Sequence, residues 1–183
     1  MNQQIVDFYE GKLRVGRDKL SFDEIIKLPT DRLEKCHDYI QWLFPLPENS
    51  AFMKNAPKLD EASAKLIAKD YSMRVGEAVN AMMKFWNIEL HLNTEKKPYV
   101  QPGQYWMVPD DHNHFRISRV LRFLTLLSKS SDTKSRSIHF QNIATSLLYA
   151  VFIANDKEKF ATPKTVEFWE KATQLGWGED PRG

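Results

Sequence analysis

The apolar positions of the chain first fall into a helical rhythm after Ser21. Ser21 and Glu24 have the spacing of a capping box, ahead of a short helix around Phe22 to Leu28 that Pro29 stops. Thr30 is then an N-cap candidate for a helix from Asp31 to about Phe44, closed by Pro45 and Pro47. Leu33, Cys36, Ile40, Leu43 and Phe44 share one face of it, with His37 at the edge and Glu34, Lys35 and Asp38 pointing away. Trp42 falls on the opposite side, so it must pack against a second element or stay exposed.

Asn49 to Lys58 shows no period and reads as a loop. Asp60 caps a helix through Lys69, and a longer one from about Ser72 to Asn87 buries Val75, Ala78, Val79, Met82, Met83 and Trp86. Asn93 to Asp111 is irregular, with four prolines and glycines among Tyr99, Tyr105 and Trp106, and these aromatics are expected to clamp the loop to the core. The next helix, about Asn113 to Ser128, buries Ile117, Val120, Leu121, Leu124 and Leu127, and sets Arg116, Arg119 and Arg122 along another flank. After a polar loop comes an uncharged helix, apolar almost all round except for His139, Asn142 and Ser146, which suits the centre of a bundle. Thr162 and Pro163 open the last helix and Gly176 ends it. The pattern predicts an all-α fold: one domain over residues 1–183, a bundle of about six or seven helices with one long irregular loop.

Composition narrows the setting. A chain of 183 residues, 42% hydrophobic, can fill one core without disulfides or metal. Its one cysteine, Cys36, has no partner, and no secretory signal is seen, so a reducing, cytoplasmic setting is expected. The net charge of +2 argues against a strongly basic nucleic-acid binder. It conceals a cluster, however: Arg116, Arg119, Arg122, Lys129, Lys134 and Arg136 face only Asp132, leaving the rest of the chain acidic. An anionic partner, nucleic acid included, is therefore the second choice on one face alone. Ser137 to Asn155 holds no charged residue, yet its polar side chains and short apolar centre favour a core helix over a membrane span.

Candidate chemistry is sparse. Glu34 and His37 have the spacing of a di-iron ligand pair, but such sites need the motif twice and two further carboxylates. Cys36, His37 and Asp38 are neighbours that point about 100° apart on a helix, so they cannot act as nucleophile and base. His112 and His114 flank Asn113 at a helix start, where local capping is the simpler use. No phosphate loop, nucleophile elbow or zinc ligand set is present. No catalytic residue, metal or cofactor is expected.

Two stretches carry a resemblance. Leu33 to Leu46, LEKCHDYIQWLFPL, and His112 to Leu127, HNHFRISRVLRFLTLL, are similar to signature segments of the opioid growth factor receptor conserved region, and FWNIEL at Phe85 to Leu90 resembles that family's aromatic helix end. The likeness covers about residues 30–153 and suggests a short member consisting of the conserved domain only. It implies a non-enzymatic, receptor-like module for a peptide or protein, in a family named for a short opioid peptide and often membrane- or nucleus-associated. The tail repeats and basic nuclear-targeting stretches of vertebrate members have no counterpart here, so receptor signalling is not expected. The polar members of the two segments, His37, Asp38, Gln41, His112, Asn113, Arg116 and Arg119, are expected to line one groove. Trp42 and the Tyr99 to Trp106 loop would supply its aromatic walls.

Overall fold

A computed structural model describes residues 1–50, 52–92 and 95–181. The protein is mostly helical, with nine helices and one small sheet among those residues. The first helix, α1 (Gln3–Tyr9), precedes anything the apolar pattern had suggested. Asn2 caps it by accepting from the Gln4 amide, and Ile5, Phe8 and Tyr9 are buried. Tyr9 donates its hydroxyl to the Leu43 carbonyl at 2.6 Å, so this short helix is held by tertiary contacts rather than by its own length.

The capping box of Ser21 and Glu24 is formed at the start of α2 (Phe22–Ile25). The helix expected from Asp31 to Phe44 is broken. It becomes α3 (Thr30–Lys35) and α4 (Ile40–Leu43), separated by an extended Cys36. Pro29, not Thr30, occupies the cap position, without a side-chain cap bond. The break is stabilised from outside: Arg116 donates to the carbonyls of Glu34 and Cys36, and the Tyr39 hydroxyl donates to the carbonyl of Leu33. Carbonyls that would have continued the helix are thus satisfied by side chains. Trp42 is buried against Phe8 of α1, with ring centroids 5.6 Å apart.

Asp60 caps α5 (Glu61–Asp70) through the Ser63 amide. α6 (Ser72–Trp86) buries the expected stripe and ends on Asn87 in the left-handed region. A strand follows, β1 (Ile88–Glu89), paired antiparallel with β2 (Tyr99–Val100), with Ile88 opposite Val100. The all-α expectation is corrected by this ribbon, whose backbone bonds need only two residues on each side. The start of the irregular stretch, residues 93 and 94, lies outside the described residues. Further along it, Trp106 is fully buried and donates its indole N–H to the Trp86 carbonyl, whereas Tyr99 and Tyr105 stay about half exposed. Of the three aromatics expected to clamp the loop, only Trp106 is enclosed in the core.

The last three helices are α7 (His112–Ser130), α8 (Lys134–Glu158) and α9 (Pro163–Gln174). α7 packs against α5, α8 and α9 and is the most buried of the long helices. α8 is not the central helix that its uncharged stretch suggested. Only its Phe140, Ile143, Ala144, Leu147, Ala150, Val151 and Ala154 side is buried, while Ile138 and Tyr149 stay exposed. It is long and apolar enough to cross a membrane by length and composition, a property shared with core helices of soluble proteins. Thr162 caps α9 with Pro163 in its first turn, as read from the sequence. One buried apolar cluster reaches from Ile5 to Ala172 and joins all these helices.

Candidate functional site

The first turn of α7 lies against the α3–α4 break, which brings the two signature segments together. Arg116 is the joint. It is 5% exposed, and its guanidinium donates to Asn113 Oδ1 at 3.1 Å, to the Glu34 and Cys36 carbonyls, and meets His37 Nδ1 at 3.1 Å. Its Cζ also sits 5.7 Å from the Tyr39 and Phe85 ring centres. A planar group with five donors can serve all these acceptors at once, which a lysine cannot.

Glu34 is the second hub, although the helical pattern had turned it towards solvent. Its Oε2 accepts from the Tyr105 hydroxyl at 3.1 Å and from Asn113 Nδ2 at 3.3 Å, and lies 3.6 Å from Arg116. Its Oε1 is 3.2 Å from His112 Nε2, close but outside the angles of a formed hydrogen bond. Burial and the neighbouring Glu34 charge push the Tyr105 phenol well above its ordinary pKa, so it stays protonated and donating. The His37 and His112 rings meet edge-on at 5.3 Å. Partial desolvation, then the Arg116 and His112 charges, hold His37 below the usual histidine value against the opposing pull of Glu34 and Asp38.

Beside this network a cleft of about 540 Å3 opens between α4, α7 and α9, a size suited to a small ligand or a few peptide side chains. His37, Gln41, His112, Arg116 and Arg119 line it, so five of the expected groove residues share one wall. Gln41 is buried, and with its amide nitrogen turned to satisfy both ends it donates to the His37 and Asp38 carbonyls at 2.8 and 3.2 Å. Arg119 donates to the Phe44 carbonyl at 3.0 Å.

Three expected residues fall elsewhere. Asp38 faces the turn at Gly16, accepting from the Arg17 amide at 2.9 Å, where a side chain at Gly16 would collide with it. Asn113 is fully buried and bridges Trp86, Arg116 and Glu34. Trp42 belongs to the α1 contact, and the Tyr99 to Trp106 loop is not among the cleft walls. The aromatic lining comes instead from Phe52, Phe115 and Phe168, with Lys164 on α9 and Glu48 beyond α4. Phe52 and Phe115 are 70% and 55% exposed, and their rings meet at a tilt with centroids 5.9 Å apart. An aromatic at position 115, off the buried stripe of its helix, is the one sequence signal that marked this wall.

The solvent-facing arginine row expected to attract nucleic acid does not exist as a row. Arg116 is buried, and Arg122, 1% exposed, is engaged by Glu48 at 2.9 Å and by the carbonyls of Leu175, Gly176 and Glu179. The structure spends these charges internally, because each guanidinium meets carbonyls left unpaired at chain breaks and turns.

Comparison with known proteins agrees with the signature segments. The sequence model of the opioid growth factor receptor (OGFr) conserved region matches residues 1–150, a wider span than the expected 30–153 on its amino side. The chain is 35% identical over 127 residues to the opioid growth factor receptor of Mus musculus, covering 65% of this chain and 20% of that protein. It is 31% identical over 125 residues to opioid growth factor receptor-like protein 1 of Xenopus tropicalis, covering 64% of this chain and 24% of that protein. The chain thus spans about a quarter or less of the length of these relatives. No solved structure matches it. With its family model covering most of the sequence and both signature segments folded into one joint, the chain belongs to the opioid growth factor receptor conserved-region family.

Proposed function

We propose that residues 1–183 act as one helical bundle domain, a non-enzymatic module whose cleft between α4, α7 and α9 binds a peptide or a segment of a protein. The observation that carries this reading is that both signature segments line the cleft together with the exposed aromatic side chains of Phe52 and Phe115. Apolar walls with a few convergent polar groups are the general form of a ligand site. The mixed lining suits a segment with apolar side chains and at least one anionic or carbonyl-rich stretch: Phe52, Phe115 and Phe168 offer ring faces, while Arg119 and Lys164 offer positive charge. The name of the murine relative makes opioid peptides the first ligands to try. The lone, half-buried Cys36 is consistent with work in a reducing, cytoplasmic compartment.

The test is a calorimetric titration of the purified protein against short peptides, enkephalin-like ones included. Phe115 is exposed, so Phe115→Ala leaves the core intact and isolates its ligand contact. Saturable binding weakened about tenfold or more by Phe115→Ala is the expected result for an aromatic anchor. A peptide that binds equally well to Phe115→Ala and Lys164→Ala proteins would place its site elsewhere and end the proposal.

A further inference from the structure

Helix α8 has a face used neither by the core nor by the cleft. Opposite its buried side stand Ile138, Asn142, Thr145 and Tyr149, all exposed. They recur in steps of four and three residues, the seam spacing of paired helices. The 19 residues from Ser137 to Asn155 contain no charged side chain, in a chain of which 27% is charged. Loss of charge with retention of aromatic groups marks the centre of protein–protein interfaces. Lipid fits the face less well, since Gln141 and Asn142 would lose their hydrogen bonds to water in hydrocarbon.

We propose that this face of α8 pairs antiparallel with the same face of a second copy of the chain, about a two-fold axis at Thr145. Charge selects the direction. Lys134 opens the helix and Asp156 stands near its end, both exposed and both on the outward side. An antiparallel pair sets each base against the acid of the other copy, whereas a parallel pair stacks like charges. Distance along the helix then selects the register. With Thr145 facing its own counterpart, Lys134 comes opposite Asp156, Ile138 opposite the half-buried Phe152, and Gln141 opposite Tyr149. The lysine–aspartate and apolar pairs fall into place in one register, the self-complementarity a two-fold interface requires. Asp156 already meets Lys159 at 3.0 Å, but both ends of that pair are solvent-exposed and it can be exchanged at little cost. One helix pair is small for an interface, so the dimer is a weak one, populated at micromolar concentrations and above.

Sedimentation equilibrium on the full chain from low micromolar to millimolar concentration reads the association directly. The expected result is a monomer–dimer equilibrium that Tyr149→Lys weakens at least about tenfold with unchanged helical circular dichroism, as loss of a central aromatic does. Lys134→Glu is expected to weaken the dimer, and Lys134→Glu with Asp156→Lys to restore it. In a Cys36→Ser background, Thr145→Cys is expected to cross-link on mild oxidation while Ile138→Cys is not, because only the axial residue meets itself. Three results would overturn the proposal. These are a monomer throughout the range, a dimer insensitive to Tyr149→Lys, or binding of neutral phosphatidylcholine vesicles through this face without self-association.

Discussion

Helices α7 and α8 invert the usual relation between charge and burial. α7 carries Arg116, Arg119 and Arg122 within its first three turns and is the most buried of the long helices, while α8 is uncharged from Ser137 to Asn155 and shows one side to solvent. What differs is the surroundings. Around α7 the chain breaks at Cys36 and turns after Leu175, leaving carbonyls that guanidinium groups satisfy in numbers. α8 meets α7, α9 and β2 on its buried side, while its Ile138, Asn142, Thr145 and Tyr149 side is exposed among the described residues. Burial follows the supply of partners, and a charged side chain can be buried where enough acceptors offset its loss of water.

The comparison breaks hardest at Arg122. Arg122→Met leaves Glu48 enclosed without its partner and is expected to cost about 3–5 kcal/mol in urea unfolding. Arg122→Met combined with Glu48→Leu is expected to recover most of that, since a buried ion pair replaced whole by apolar groups is often neutral. A double variant as unstable as the single one would mean that the carbonyls of Leu175, Gly176 and Glu179 carry the effect. On α8, Leu147→Ala on the inward side is expected to cost about 2–5 kcal/mol by opening a cavity. Tyr149→Ala, two residues away on the outward side, is expected to stay within about 0.5 kcal/mol at concentrations where the protein is monomeric. Equal losses at both positions would show that α8 is enclosed after all.

Arg116→Lys sharpens the contrast at smaller scale. The guanidinium uses one nitrogen for the Glu34 and Cys36 carbonyls and the other for Asn113 Oδ1, and a lysine has a single nitrogen for both sides. A loss of about 1–3 kcal/mol is therefore expected, with faster amide exchange confined to residues near the α3–α4 break. The smallest effect is on pH dependence. Burial holds His114 below its usual pKa, so the folded protein binds fewer protons there than the unfolded chain. Its share of stability is fully present above the unfolded value of about 6.5 and is lost as pH falls through that value towards the folded pKa. Thermal unfolding of His114→Gln is expected to show a shallower decline over that window, with the carboxylate-driven loss at lower pH unchanged.

Much of the fold was legible. The Ser21 box, the Asp60 cap, the stripe of α6 and the Thr162–Pro163 start of α9 each depend on residues within a single helix or its cap, and all are formed. The helix from Asp31 to Phe44 was misread because what interrupts it, Arg116, lies about 80 residues away. Of the candidate site, His37, Gln41, His112, Arg116 and Arg119 were placed together from their polarity within two signature segments. Asp38, Asn113 and Trp42 looked equivalent to them, yet each turned to a partner more than twenty residues away, at Arg17, Trp86 and Phe8. Phe168 and Lys164 could not be assigned to the site beforehand, because nothing local in α9 says which of its sides meets α7.

By itself the sequence determined the helical class, most caps and stops, and the family, since these are written in short-range spacing and in runs of specific residues. Only the tertiary structure decided which helix is central, which arginines are buried, and that Glu34 gathers Tyr105, Asn113 and Arg116 around the joint. The physical reason is one of range. A cap or an amphipathic stripe is satisfied within its own segment, but a buried guanidinium and an outward helix face are defined by acceptors and neighbours that the rest of the chain provides or withholds.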